Sequence, residues 1–156
     1  MQNESGPDSH HPSSCALADM PPVSDLPTLL RSMHPVLNAG TYVFTTLPVN
    51  HAVEPSAIVA SVREPEGLSV ILAESDAVRH GLVPLFRCAW ITLMVNSDLA
   101  AVGLTAAFAA ALTDAGISCN VVAGAYHDHI FVPESLASRA MDAMLALQRQ
   151  ALGTLT

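Results

Sequence analysis

The chain has 156 residues, of which 51% are hydrophobic and 13% charged, so it can bury one core or two very small ones. Its net charge of −8 argues against partners that need a basic surface, namely nucleic acids and anionic membranes. Three well-separated cysteines predict neither a disulfide framework nor a zinc finger, and no apolar run approaches the ~20 residues of a membrane span. We therefore expect a cytoplasmic protein with reduced thiols.

Residues 1–23 are predicted to form a disordered tail, because they are rich in Ser, Pro, Asp and His and poor in large apolar side chains. They also lack the basic and apolar regions of a signal peptide. The next segment, SDLPTLLRSMHP, predicts a short helix that Ser24 caps and Pro35 ends. Its apolar residues recur at helical spacing and define one face, formed by Leu26, Leu29, Leu30 and Met33.

The middle of the chain predicts three strands, over 41–47, 57–63 and 68–73, where β-branched and aromatic residues concentrate. The last two strands are joined by the four residues 64–67, which read EPEG. Proline followed by glycine in so short a link is typical of a tight turn, so these two strands are predicted to form a hairpin.

A short helix is expected over 74–81, followed by an apolar run over 85–95. This run is consistent with one long strand or with two strands that meet near Cys88. A longer helix follows, for which Asp98 is a plausible N-cap and Gly116 a plausible first residue beyond the C-terminus.

The last part of the chain predicts strands over 119–126 and 129–132, a helix over 134–150 and a C-terminal tail over 151–156. The order of elements predicts an α+β protein with an antiparallel sheet and helices on one face. The second half lacks one strand of a complete ferredoxin-like unit. That strand must be borrowed from the first half or from another chain.

Two stretches carry the motifs of a known family. The run VNSDLAAVGLTAAFAAALTDAGISCNVVAGAYHDHIFVP (95–133) has a strand, a short loop, a helix start containing glycine, "GIS" leading into a second strand, and a hairpin that ends in "HIFVP". The run IVASVREPEGLSVILAESDA (58–77) resembles the preceding unit of small stand-alone proteins of the same kind. Over residues 24–150 the chain resembles the ACT domain family and is similar to the small-molecule-binding modules attached to aspartate kinases.

The resemblance implies two ferredoxin-like ACT units, over 24–88 and 89–150, with antiparallel sheets side by side and helices on one face. It implies ligand binding rather than catalysis, with a small molecule of the amino-acid class as the ligand and a homodimer as the assembly. We therefore predict a regulatory or sensor module with no catalytic residues, no cofactor and no metal. The expected partners include neither nucleic acid nor a membrane.

The loop that starts the second-half helix is the candidate ligand site. The first turn of a helix has unpaired N–H groups and a partial positive charge, which suit a carboxylate. Gly103 allows close approach, while Asp98 and strand-edge carbonyls near Asn120 and Val121 could accept hydrogen bonds from an ammonium group. The resemblance implies a pocket between this loop and a partner unit's strand edge. The predicted ligand-binding residues are Asn96, Asp98, Val102, Gly103, Leu104, Asn120, Val121 and Asp128.

Purely structural roles compete with this interpretation. Asp98 could serve only as a helix cap, worth about 1 kcal/mol, and Gly103 could serve only close packing. The motif His127-Asp128-His129 has two interpretations as well. Its imidazoles share one face of an extended chain and could bind a metal in a metal-binding protein or metal-dependent enzyme. A zinc site needs three or four protein ligands, however, so we favour a hairpin turn, with Asp128 a secondary ligand contact.

Overall fold

The computed structural model describes residues 21–153, which form four α-helices and seven strands. The helices are α1 (Leu26–Ser32), α2 (Glu74–Arg79), α3 (Leu104–Asp114) and α4 (Ala137–Gly153). The strands are β1 (His34–Leu37), β2 (Tyr42–Leu47), β3 (Ile58–Glu64), β4 (Gly67–Ala73), β5 (Phe86–Met94), β6 (Asn120–Ala123) and β7 (Asp128–Pro133). No helix within the described range is both long and apolar enough to cross a membrane.

All seven strands belong to one sheet, whose main path runs β3-β4-β2-β5-β7-β6 with β1 beside β5. Every strand pair in it is antiparallel. The helices lie on one face of this sheet. The prediction of an α+β fold with ferredoxin-like units side by side is therefore confirmed.

Strand β5 is the centre of the molecule and is shared by both halves. Its first three residues, Phe86–Cys88, pair with β2, and its last part, Ile91–Met94, pairs with β1 along the same edge. Its other edge pairs with β7. The apolar run after Pro84 is thus one long strand, which crosses the predicted unit boundary between residues 88 and 89.

The second unit is completed by a strand from the first half of the same chain. Strands β5, β6 and β7 with helices α3 and α4 supply five elements of a ferredoxin-like unit, and β1 takes the position of the missing strand. Of the two predicted sources, the structure uses the chain's own N-terminal half. The first unit consists of β2, β3, β4, α2 and the start of β5.

Three apolar clusters follow from the alternation of side chains across the sheet. The largest lies between α1, α3, α4 and the sheet and includes Leu29, Phe108 and Met144, all fully buried. A smaller one packs under α2 around Leu72. The third consists of strand residues alone and lies on the face opposite the helices.

Strand β1 is an element that sequence patterning missed. Helix α1 is capped by Asp25, whose carboxylate accepts from the Thr28 N–H, rather than by Ser24. The helix stops at Ser32, and Pro35, predicted to end it, instead lies inside β1. Four residues are too few to display strand alternation, and proline is tolerated where its missing N–H is not needed by the sheet.

Other boundaries also differ from the predictions. Helix α3 begins six residues after Asp98, at Leu104, because residues 98–103 form a loop with a turn at 99–100. Helix α4 continues to Gly153, into the segment 151–156 predicted as a tail. Strand β6 ends at Ala123, since the chain turns immediately afterwards. Most of the predicted N-terminal tail, residues 1–20, lies outside the described residues.

Candidate functional site

The loop between β5 and α3 is held in place by the first described residues of the chain. The Val23 N–H donates to the Asn96 carbonyl at 2.9 Å, and the Asp98 N–H donates to the Val23 carbonyl at 2.9 Å. These two bonds form a single parallel bridge between Val23 and Ser97. The loop therefore has a defined shape although it has no regular secondary structure.

Asp98 organises this loop instead of capping α3. Its Oδ1 accepts from the Ala100 N–H at 2.8 Å, and its Oδ2 accepts from Ser24 Oγ at 3.2 Å. The first bond is a local side-chain-to-backbone turn of the kind that Asp favours. The predicted role of Asp98 as the N-cap of α3 is wrong, because Gly103 occupies that position.

Two adjoining concavities open beside the loop, and they share Ser97, Asp98 and Leu99. The larger, ≈ 290 Å³, is lined by Pro22, Asn96, Ser97, Asp98, Leu99, Ala125 and Tyr126. The smaller, ≈ 80 Å³, is lined by Ser97, Asp98, Leu99, Ala101, Leu104, Thr105, Ala123 and Asp128. Together they form what we call the α3 mouth, which is large enough for a small organic molecule.

Asp128 supplies a carboxyl group to the inner part of the α3 mouth. It begins β7, opposite Ala123 on one side and Leu93 on the other, so its side chain lies on the helix face of the sheet. The residue is only 8% exposed. Burial raises the pKa of this carboxyl, and the neighbouring His129 and His127 oppose that shift. An acceptor with so little access to water gains most from a cationic donor.

The N-terminus of α3 faces the same inner concavity. Leu104 and Thr105 line it, and no side chain caps the helix. The N–H groups of a helix's first turn have no intrahelical acceptor, so they can bind a carboxylate. Gly103, with φ of +105°, has the left-handed conformation that glycine favours, and a Cβ there would lie 2.8 Å from Leu26 Cδ2. The close neighbour of Gly103 is therefore helix α1.

The structure brings together part of the predicted site. Asn96, Asp98, Leu104 and Asp128 line the α3 mouth. Val102 is 84% exposed and lines neither concavity. Of the three remaining predicted residues, Gly103 lines neither concavity and adjoins Leu26. The other two, Asn120 and Val121, lie two to three positions before Ala123 on β6, away from the mouth of their own chain. At about 3.4 Å per residue that separation is roughly 7–10 Å.

Sequence reasoning missed the part of the lining that comes from turns. Tyr126 lies in the β6–β7 turn, which the Gly124 N–H closes by donating to the His127 carbonyl at 2.9 Å. Leu99 lies in the loop before α3 and is 71% exposed. The one sequence signal that could have indicated a role for Tyr126 in ligand binding is an aromatic residue beside a glycine in a predicted turn.

The histidines of the HDH motif do not converge on one point with Asp128. His129 Nδ1 accepts from Trp90 Nε1 at 3.1 Å, on the sheet face opposite Asp128. His127 Nδ1 lies 3.3 Å from the Val95 carbonyl. Within residues 21–153, no group of three or more His, Cys, Asp or Glu side chains could hold a metal ion. The hairpin turn itself spans 124–127, so Asp128 and His129 belong to strand β7 rather than to the turn.

The two cysteines within the described range are not activated thiols. Cys88 is fully buried and donates to the Tyr42 carbonyl, and burial raises the pKa of its thiol to about 12. Burial also raises the pKa of Cys119. Both thiols stay protonated at neutral pH, so neither is a nucleophile.

Comparisons with known proteins agree with this architecture. Residues 21–89 and residues 85–145 each match a family model described as an ACT domain. The two matches overlap at the start of β5, the strand that both units share. A search of curated proteins finds no match.

Solved structures extend the comparison. A Vibrio cholerae protein of unknown function, described as a possible transport protein, is 44% identical, with a TM-score of 0.68 over 79% of this chain and 95% of that chain. An Agrobacterium tumefaciens protein shares 18% identity, with a TM-score of 0.54 over 74% of this chain and 89% of that chain. The ligand-free regulatory subunit of aspartate kinase from Thermus thermophilus has 9% identity and a TM-score of 0.55 over 72% of this chain and 95% of that one. At such low identities the last two show a shared fold.

The fold and the matches define a class of protein with two ferredoxin-like units of the regulatory type. The chain belongs to the ACT domain family, with two ACT domains in tandem. This membership supports a small-molecule-binding regulatory module, and neither matching model describes a catalytic domain.

Proposed function

We propose that this protein is a sensor or regulatory module that binds a free amino acid at the α3 mouth. The observation that carries the proposal is the pairing of two complementary groups in one concavity. The buried Asp128 carboxyl suits an ammonium group, and the uncapped first turn of α3 suits a carboxylate. The zwitterion of an α-amino acid carries both groups, an ammonium and a carboxylate, on its α-carbon.

The proposed ligand extends from the inner concavity into the larger one. The ≈ 80 Å³ space fits little more than the α-amino and carboxylate groups, so a side chain would lie in the ≈ 290 Å³ space. There it would contact Leu99 and Tyr126, together with the polar Asn96. This lining favours a side chain of small to medium size without a negative charge, because Asp98 also borders that space.

We also propose that a second copy of the chain covers the α3 mouth. Two apolar side chains that line it are exposed, with Leu99 at 71% and Tyr126 at 57% exposure. The lining comes from the second unit and Pro22, so a strand edge such as Asn120–Val121 would have to come from a partner copy. Ligand binding would then stabilise the assembly by linkage. We expect the protein to act in the cytoplasm.

A thermal-shift screen of the twenty amino acids tests ligand binding. At one hundred times its Kd, a true ligand stabilises the folded chain by about 2.7 kcal/mol, which is a readily measured increase in Tm. The Asp128→Asn variant should lose most of that increase because it removes the ammonium acceptor. Asp114→Asn, at an exposed position at the other end of α3, is the matched control. No Tm increase with any amino acid at millimolar concentration would refute the proposal.

A further inference from the structure

The helix-free face of the sheet concentrates the aromatic residues of the chain. The sequence has four Phe, two Tyr and one Trp. Five of these seven form one network of ring contacts on that face, with neighbouring centroids 5.1–6.3 Å apart. They are Tyr42, Phe44, Phe86, Trp90 and Phe131. A protein so poor in aromatic residues has placed most of them on one side of its sheet.

This aromatic face is apolar across the width of the sheet. Besides the five rings, its cluster contains Val59, Ala60, Ile71, Cys88 and Val122, so it reaches from β3 to β6. Every member is a strand residue, so within residues 21–153 no helix contributes to this cluster. Four of the five rings remain partly exposed, whereas Phe131 is fully buried by its neighbours. Such a continuous apolar surface, if left in water, is costly and is typical of an interface.

The charges of the chain indicate what covers this face. No Asp, Glu, Lys or Arg belongs to the aromatic cluster; Glu64, at the end of β3 on the same sheet face, accepts from Ser69. Because each copy carries a net charge of −8, two copies repel each other except where the contact surface is uncharged. A basic partner would be attracted to the acidic remainder of the surface instead. An uncharged apolar face of this kind can pack against the same face of a second copy.

The size of the face is sufficient for such a contact. Six strands about 4.8 Å apart, with about five residues each at about 3.4 Å, give roughly 400–500 Å² of flat area per copy. Over two copies this comes to about 800–1,000 Å², which reaches the size at which specific interfaces begin. Sheets in proteins pack face to face through side chains of this kind.

We propose that the aromatic face is a homodimer interface in which the sheets of two copies pack face to face. The α3 mouth lies on the opposite, helix face of the sheet, so this contact is separate from the ligand site. It does not depend on whether an amino acid binds. If a second copy also covers the α3 mouth, the two contacts together would give a higher assembly.

Sedimentation of the full-length chain over a dilution series tests the interface. Thr46→Glu introduces a charge on the exposed end of an inner strand, β2, on the same sheet face as Phe44. Two like charges meet across the interface, so the dimer Kd should rise about a hundredfold. Val62→Glu, 55% exposed on β3, should act in the same direction.

Matched substitutions on the helix side are the controls. Thr113→Glu on α3 and Val78→Glu on α2, both at exposed positions, should leave the dimer Kd unchanged. Circular dichroism checks that all four variants are folded. A wild-type chain that is monomeric throughout the series, or a dimer that Thr46→Glu and Val62→Glu leave intact, would overturn the proposal.

The single tryptophan gives an independent measurement. Trp90 lies within the aromatic face, so its acrylamide quenching should increase when the wild-type dimer is diluted to monomer. Quenching that stays constant through dissociation would place the contact elsewhere. Deletion of residues 1–20 distinguishes another occupant, because increased quenching with an unchanged oligomeric state would mean that this segment, rather than a second copy, covers the face.

Discussion

The two units that share β5 differ most in the helices that cover them. The second unit is covered by α3 and α4, of 11 and 17 residues, together with α1. Within residues 21–153 the first has only the six-residue α2, and a three-residue 3-10 helix, Pro55–Ala57, stands between β2 and β3. Among these described residues the main core accordingly holds fourteen fully or nearly fully buried residues and the core under α2 holds five. The unit that carries the α3 mouth is therefore also the better packed one.

This asymmetry shows how two incomplete units can form one domain. The second unit lacks a strand until β1 pairs with β5, and α1 brings Leu29 and Met33 into its core. The first unit lacks a strand of its own until β5 pairs with β2. Neither unit is complete without residues from the other, so we expect the chain to unfold in a single transition.

The largest effect should come from removing the borrowed elements. A chain that starts at Asn38 loses α1 and β1, and with them two fully buried core side chains worth about 2–5 kcal/mol each. That loss approaches the whole stability of a typical domain, about 5–15 kcal/mol. We expect no cooperative thermal transition by circular dichroism. A chain lacking only residues 1–20, predicted as a tail, is the control and should melt normally; a cooperative transition in the shorter chain would mean that the second unit is self-sufficient.

Core truncations in the two units should differ in size. Phe108→Ala in α3 is expected to lower the free energy of unfolding by about 3–5 kcal/mol, because the dense helical layer cannot close over the cavity. Leu72→Ala under α2 should cost about 2–3 kcal/mol, at the lower end of its range, since the thin layer above it can relax. Urea denaturation measures both. Equal losses would contradict the difference in packing, and two separate transitions would contradict the shared strand.

A substitution in the β6–β7 hairpin of the second unit should have a smaller effect on stability. A Cβ at Gly124, in the second hairpin, would lie 2.9 Å from the His127 carbonyl oxygen, a backbone atom that cannot rotate away. Gly124→Ala should therefore cost about 1–3 kcal/mol as an overpacking change. Gly153→Ala, which meets nothing within 4 Å, is the control and should be neutral or slightly stabilising. An unchanged Tm for Gly124→Ala would show that the 124–127 turn adapts freely.

Much of the fold could be predicted from the sequence because it depends on local signals. The hairpin at 64–67 forms as expected, with Glu64 paired to Gly67, since its turn chemistry lies in four adjacent residues. Gly116, with φ of +70°, follows the end of α3 as expected, because a left-handed residue at a helix end favours glycine. Strand β1 could not be found in this way. Its partner, β5, lies more than fifty residues away, and the pairing depends on tertiary contact.

The candidate-site residues that could be predicted from the sequence are those that lie close together along the chain. One loop and the helix start that follows it contain Asn96, Asp98 and Leu104. The expectation that a ligand binds at a helix N-terminus was therefore sufficient to identify them. The start of α3 itself was misplaced, because Asp98 uses its carboxylate to bind Ala100 and Ser24. No local pattern indicates that Val23 bridges Ser97, or that Tyr126 comes beside the loop through the β6–β7 turn.

The smallest effect concerns the one buried carboxyl among residues 21–153, Asp128 of the second unit. Burial raises its folded pKa above the unfolded value of 3.8. Between those two values the folded state holds more protons, so stability falls as pH rises through that window, and the whole penalty is present at neutral pH. Asp128→Asn removes the penalty and should raise Tm at neutral pH, with no gain below pH 3.8.

A second titratable group, the half-buried His129, is coupled to this carboxyl. Burial lowers the pKa of His129 while the Asp128 carboxylate raises it, so Asp128→Asn lowers the pKa of His129 further. Stability therefore falls more steeply in the variant as pH falls below 6.5, whereas well above pH 6.5 the imidazole is neutral in both states and the Tm difference reports on Asp128. The exposed Asp114→Asn should show no such trend. A decrease in Tm for Asp128→Asn at neutral pH would mean that the protein's own groups already satisfy this carboxylate, which would leave the α3 mouth without its acceptor for an ammonium group.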